Sequence, residues 1–82
     1  MYLHLGLGIV VRGDEVVGIF DLDNTTVSAH TRKFLNLQEK AGNVITITED
    51  LPKSFCLCKK GGRNVVYLSQ ISAATLKKRQ TN

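Results

Sequence analysis

Over the first nine residues Leu3, Leu5, Leu7 and Ile9 alternate with Tyr2, His4, Gly6 and Gly8, the period of two expected where one face of a strand is buried. This pattern predicts a strand or the start of a hairpin, with Gly6-Leu7-Gly8 suited to a turn or bulge. Arg12-Gly13-Asp14-Glu15 supplies turn chemistry. The β-branched run Val16-Val17-Gly18-Ile19-Phe20 then has the pattern of a strand covered on both faces, which predicts a central strand. Between Thr25 and Ala41 the period changes: Val27, His30, Phe34, Leu37 and Ala41 recur at helical spacing, with Asn24 or Thr25 available as a cap and Gly42-Asn43 as a left-handed stop. Val44-Ile45-Thr46-Ile47-Thr48 returns to strand alternation.

The strongest local signal is Phe55–Lys60 and Arg63–Leu68 flanking Gly61-Gly62, a pair suited to the positive φ angles of a tight hairpin. Folding about that pair sets Leu57 opposite Val66 and Phe55 opposite Leu68 on one face. The other face then holds Cys58 opposite Val65 and Cys56 opposite Tyr67. Ser72, or less favourably Ser69, caps a short final helix through Leu76 that runs into Lys77-Lys78-Arg79. The expected fold is α+β: a small, mostly antiparallel sheet of five or six short strands with one long and one short helix.

At 82 residues the chain has room for a single domain, 1–82, with a thin core. Without metal or disulfide staples such a chain leans on self-association, so a homo-oligomer is expected. No Lys or Arg precedes Arg12 and no segment has the roughly 20 apolar residues that span a bilayer; a cytoplasmic protein without membrane contact is expected. Cys56 and Cys58 are two apart, which on a strand separates their Cα atoms by about 7 Å, at the limit of disulfide geometry.

Charge is segregated along the chain. Residues 1–51 carry four basic and all seven acidic residues, whereas Lys53, Lys59, Lys60, Arg63, Lys77, Lys78 and Arg79 stand after Pro52 with no acid among them. A half with seven uncompensated cations suits a polyanion; lysines at strand and helix ends also keep a small domain soluble and its edges unpaired. The basic hairpin of Lys59, Lys60 and Arg63, with Lys53 and the basic carboxyl end at 77–82, is therefore the candidate surface for duplex DNA. Arg63 and Asn64 are the residues there with the chemistry to address base edges.

Three other patterns invite chemistry. Gly18-Ile19-Phe20-Asp21-Leu22-Asp23-Asn24-Thr25 looks like the first motif of haloacid-dehalogenase-type phosphatases, with Asp21 as nucleophile and Asp23 as general acid. That chemistry needs further ligands from later strands, yet the only acids after Asp23 are Glu39, Glu49 and Asp50, in a chain too short for the doubly wound sheet that presents such a site. A strand end leading into a helix cap accounts for the same residues. Cys56 and Cys58 have only His4 and His30 as further zinc donors, at spacings that match no zinc module, and are expected as buried small apolar side chains. No catalytic constellation, metal, cofactor or small-molecule substrate is expected.

The order of Met1-Tyr2-Leu3-His4-Leu5-Gly6, Val17-Gly18-Ile19-Phe20-Asp21, Pro52-Lys53-Ser54 and Tyr67-Leu68-Ser69 through Thr75-Leu76-Lys77-Lys78-Arg79 resembles the RemA/RemB family of extracellular-matrix regulators along nearly the whole chain. The resemblance implies a bacterial regulator of extracellular-matrix and biofilm genes, related to a branch that binds DNA as a ring-shaped homo-oligomer of small α+β protomers. In that branch arginines serve DNA in the turn before the central strand and just before the penultimate hairpin. Here those places read Asp14-Glu15 and Glu49-Asp50-Leu51, which also admits an oligomeric protein-interaction scaffold.

Overall fold

The computed structural model describes residues 1–22 and 28–80. Six strands and two α-helices follow in the order β1 (Tyr2–Gly6), β2 (Ile9–Arg12), a 3-10 turn (Gly13–Glu15), β3 (Val16–Asp21), α1 (Ala29–Lys40), β4 (Val44–Thr46), β5 (Ser54–Lys60), β6 (Arg63–Ser69) and α2 (Ala73–Gln80). The α+β class is as expected, but the strands form two sheets rather than one: the β1-β2 hairpin, and a four-stranded sheet in the order β3-β5-β6-β4. All pairings are antiparallel except β4 with β6, which is parallel. The chain between β4 and β6 runs through residues 47–53, the whole of β5 and its turn, which makes that exception possible, since a parallel neighbour needs a connection longer than a hairpin.

The first alternation breaks after Leu5. Gly6 and Gly8 take φ angles of 112° and 78° and Leu7 one of 48°, so the chain reverses there and sets Gly6 opposite Ile9 across a register shift. Leu3 and Leu5 are buried, whereas Leu7 sits on the turn, 72% exposed. The β-branched run also departs from expectation. β3 is an edge strand, not the central one, with Val17 61% and Phe20 44% exposed. The central places belong to β5 and β6, which the tight Gly61-Gly62 turn forces to be neighbours.

α1 begins at Ser28, whose Oγ accepts from the Thr31 amide at 3.1 Å. The expected caps Asn24 and Thr25, and Asp23 and Val27 with them, lie outside the described residues. Its end is a Schellman motif, with Asn43 N–H donating to Gln38 O, Gly42 N–H to Glu39 O, and Gly42 at φ 77°. Leu37, expected on the buried stripe, is exposed; Thr31, Phe34, Leu35 and Gln38 are the partly covered positions. α2 is capped by Ser72 as expected, its Oγ accepting from Thr75 N at 3.2 Å, and it runs through Lys77-Lys78-Arg79 to Gln80.

The main core lies between the two sheets and α2. Leu3 and Leu5 of β1 and Val11 of β2 meet Ile19, Cys56, Cys58 and Tyr67 of the larger sheet, Ile47 after β4, and Ala73 and Leu76 of α2. The β5-β6 register pairs Phe55 with Leu68, Cys56 with Tyr67, Leu57 with Val66 and Cys58 with Val65, as the sequence predicts. On the opposite face Phe20 stacks on Phe55 with ring centroids 4.7 Å apart, and Phe34 of α1 approaches Phe55 at 6.3 Å. Cys56 and Cys58 are buried and unbridged, their sulfurs 3.8 Å apart. Hydrogen bonding to Cys58, and then burial, push the Cys56 thiol well above its ordinary pKa.

Two buried serines join the layers. Ser54 and Ser69 face each other across β5 and β6. Ser54 Oγ donates to Ile71 O at 2.7 Å, while Ser69 Oγ donates to Leu5 O at 2.7 Å and accepts from Ile71 N at 3.0 Å. Ser69→Ala would leave a buried carbonyl and an amide without that hydroxyl. Urea unfolding is expected to show a loss of about 2 kcal/mol, with the unchanged dependence on denaturant that marks an intact fold.

Candidate nucleic-acid interface

The basic hairpin exists as a ribbon tip because Gly61 and Gly62 adopt φ angles of 56° and 82°, the type I′ geometry whose twist matches the flanking strands. Lys60 pairs with Arg63, and Lys59 with Asn64. Alternation then places Lys60 and Arg63 on the face of Cys58 and Tyr67, and Lys59 on the face of Leu57 and Val66. The three cations therefore straddle the ribbon.

Two of them are held. The Lys60 ammonium lies over the Tyr67 ring, 5.5 Å from its centroid, a cation–π contact. Tyr67 is also the main reason that the Lys60 pKa lies above its ordinary value, so this cation stays charged through and beyond the physiological range. Arg63 Nη2 donates to Asn43 Oδ1 at 3.1 Å, which ties the tip to the turn between α1 and β4. Lys59 is exposed.

The remaining candidate cations do not join this tip. Lys53 precedes β5, so the strand separates it from Lys59 by about 20 Å; its amide donates to Ser69 O and its carbonyl accepts from Leu22 N. Lys77, Lys78 and Arg79 form the exposed last turn of α2, which packs against β1 and β3. Arg79 Nη1 donates to His4 O at 3.2 Å, fastening the helix end to β1, and the three charges complement the helix carboxyl terminus. The basic half of the chain thus resolves into three separate groups.

The acidic positions are placed unequally. Val16 pairs with Cys58, so the Gly13–Glu15 turn sits beside the hairpin tip, and the Glu15 charge is felt at Lys60. Arg12 and Asp14 form an exposed ion pair at 2.8 Å. Glu49 and Asp50 lie in the loop between β4 and β5, at the Lys53 end of the sheet, where Asp50 N donates to Thr48 Oγ1.

Two shallow cavities flank α1. One of about 320 Å³ is lined by Leu22, Leu35, Val44, Pro52 and Leu68 with Arg32 and Glu39 among its rim residues; another of about 240 Å³ lies over Phe20, Phe34, Phe55 and Leu57. Asp21 ends β3, and Asp23, its partner in the phosphatase-like motif, is outside the described residues. Among the described residues no group of three or more His, Cys, Asp or Glu side chains gathers in a way that could hold a metal ion, and no helix is long and apolar enough to cross a membrane.

Tyr67 and Asn43 are the parts of the site that sequence reasoning missed. The hairpin register already places Tyr67 on the face of Lys60 and Arg63, so the first was accessible in principle. The Asn43 contact depends on the parallel docking of β4 and has no local signal.

Comparison with known proteins covers the same span as these elements. Residues 2–80 match a family model described as RemA-like, extracellular matrix regulatory protein A-like. The chain is 35% identical over 79 residues to extracellular matrix regulatory protein B of Bacillus subtilis (strain 168), covering 96% of this chain and 89% of that protein. With one match running through both sheets and both helices, the chain belongs to the RemA-like family of extracellular matrix regulatory proteins.

Proposed function

We propose that the protein is a cytoplasmic, non-enzymatic, homo-oligomeric regulator of extracellular-matrix and biofilm gene transcription that contacts duplex DNA phosphates through its basic hairpin. The observation that carries this reading is the tip itself. Lys59, Lys60 and Arg63 surround a two-glycine turn, and Tyr67 and Asn43 hold two of the three cations in place before any ligand arrives. Pre-ordering lowers the entropy lost when a phosphate is bound. Lys53 and the Lys77-Lys78-Arg79 turn, being separate from the tip, extend the contact along a longer duplex or across neighbouring protomers.

A chain with three such contacts per protomer has a defined ionic signature. Fluorescence anisotropy with a labelled duplex is expected to show affinity falling with salt at a log–log slope of about −2.7 for each engaged hairpin. Absence of binding at low salt would remove the DNA reading. A second reading, an oligomeric scaffold acting through protein partners, is favoured by Asp14 and Glu15 beside the tip. Recovery of one defined partner after nuclease treatment would support it, and loss of that partner with the nucleic acid would count against it.

A further inference from the structure

Cys56 and Cys58 are nucleophilic side chains that the proposed DNA contact leaves unused. Both are fully buried, and both lie on the face of β5 that carries Lys60. Their sulfurs stand 3.8 Å apart. Ladder partners hold the backbone beneath them from both sides, Ile19 and Tyr67 at Cys56, Val16 and Val65 at Cys58. A disulfide needs its sulfurs at about 2.05 Å, and a central strand pinned in this way resists the pucker that would bring them there. A shared metal ion makes no such demand. With thiolate–metal bonds of about 2.3 Å, two sulfurs bridged by one ion stand at most about 4.6 Å apart, and the observed pair lies within that reach.

The donor set selects the ion. Thiolates are soft ligands that favour Cu(I), zinc and iron–sulfur clusters. Structural zinc takes four ligands, as do the clusters, but among the described residues no group of three or more His, Cys, Asp or Glu side chains forms. The buried cluster that holds the two cysteines otherwise consists of Tyr67 and aliphatic side chains, Leu3, Leu5, Val11 and Leu76 among them. Two sulfurs in an apolar shell match Cu(I), which forms two-coordinate thiolate complexes. Such a complex carries one net negative charge. Lys60, two residues along the same face, supplies the compensating cation. Hydrogen bonding from Cys56 lowers the Cys58 pKa, burial opposes that, and the Lys60 charge lowers it again, so Cys58 is the first of the two sulfurs to ionise.

The geometry points to Cys56 and Cys58 as a two-sulfur binding site for Cu(I), closed inside the protomer beneath the β1-β2 hairpin. Binding forms two sulfur–copper bonds and releases to solvent the proton of each sulfur that still carries one; no electron is transferred. Entry is through the cover. The hairpin is a sheet of its own, fastened by the bonds of Ser69 Oγ to Leu5 O and of Arg79 to His4 O, and its lifting exposes both sulfurs together.

Titration of the reduced protein, kept anaerobic, with Cu(I) held by a coloured chelator tests the site. The wild type is expected to withdraw one ion per chain, and Cys56→Ala and Cys58→Ala none. Zn(II) offered from a zinc chelator is expected to stay with the chelator. Withdrawal of Cu(I) by either variant equal to that of the wild type would place the ion elsewhere, at Met1 or His4 for instance, and overturn the site. No withdrawal by the wild type, or a preference for Zn(II), would overturn it equally. Should the variants fail to fold, X-ray absorption of the copper-loaded wild type decides. A shell of two sulfurs supports the site, and a shell of nitrogen or oxygen overturns it.

Discussion

Replacing Lys59, Lys60 and Arg63 together with glutamate is expected to reduce affinity for duplex DNA by more than about 100-fold at 0.1 M salt, because three attractive phosphate contacts become repulsive. The log–log salt slope should lose about 2.7 per engaged protomer, so the effect shows as a change in slope and not only as an offset. The same variant should remain folded. Lys60 loses its cation–π contact with Tyr67 and Arg63 a surface hydrogen bond to Asn43, costs of about 1–2 kcal/mol in total. Lys77→Glu with Lys78→Glu provides the contrast: these residues lie on α2, which packs against β1 and β3, and should weaken binding much less. Anisotropy titrations of both variants across a salt series separate the two groups. Equal losses in both would mean that only net charge matters, and would deny the hairpin its special role.

Leu5→Ala carries the second large effect. Leu5 is fully buried in β1 among Leu3, Val11, Ile19, Cys56 and Leu76, and its carbonyl accepts the Ser69 hydroxyl that ties the small hairpin to the main sheet. Truncating a buried leucine costs about 2–5 kcal/mol, against a total stability of roughly 4–12 kcal/mol for a domain of this size. A loss of about 3 kcal/mol should lower Tm by about 12–24 °C. Leu7→Ala, two residues on, should change stability by less than about 0.5 kcal/mol, because Leu7 lies exposed on the turn. Thermal melts at one fixed protein concentration check the pair, since self-association would otherwise enter the comparison. Similar losses for the two leucines would show that the β1-β2 hairpin does not form as described.

That pair of leucines also marks how far the sequence can be read. Strict alternation gives Leu3, Leu5, Leu7 and Ile9 the same rank; it is the turn chemistry of Gly6 and Gly8, also legible in the sequence, that removes Leu7 from the buried set. The β5-β6 hairpin was legible to the residue because its turn chemistry and both faces agree on one register. Its cations were legible for the same reason. The edge position of β3 is not legible, because a β-branched run is equally compatible with a central strand and with an apolar edge, and the order of strands depends on distant contacts. The parallel pairing of β4, the Asn43–Arg63 contact that follows from it, and the bonds of Ser54 to Ile71 and of Ser69 to Leu5 are likewise long-range. They join residues whose separations carry no periodic signal. Ser72 and Gly42, by contrast, act within one helical turn, and both appeared where capping chemistry placed them.

The placement of Cys56 and Cys58 gives the molecule an internal clock. Both sulfurs are sealed between the two sheets, so an alkylating reagent in solution must wait for the layers to part before it can reach either one. The pace of labelling then follows the frequency with which the small hairpin lifts away, and any ligand or neighbouring copy that holds the layers shut will slow that clock without touching a thiol.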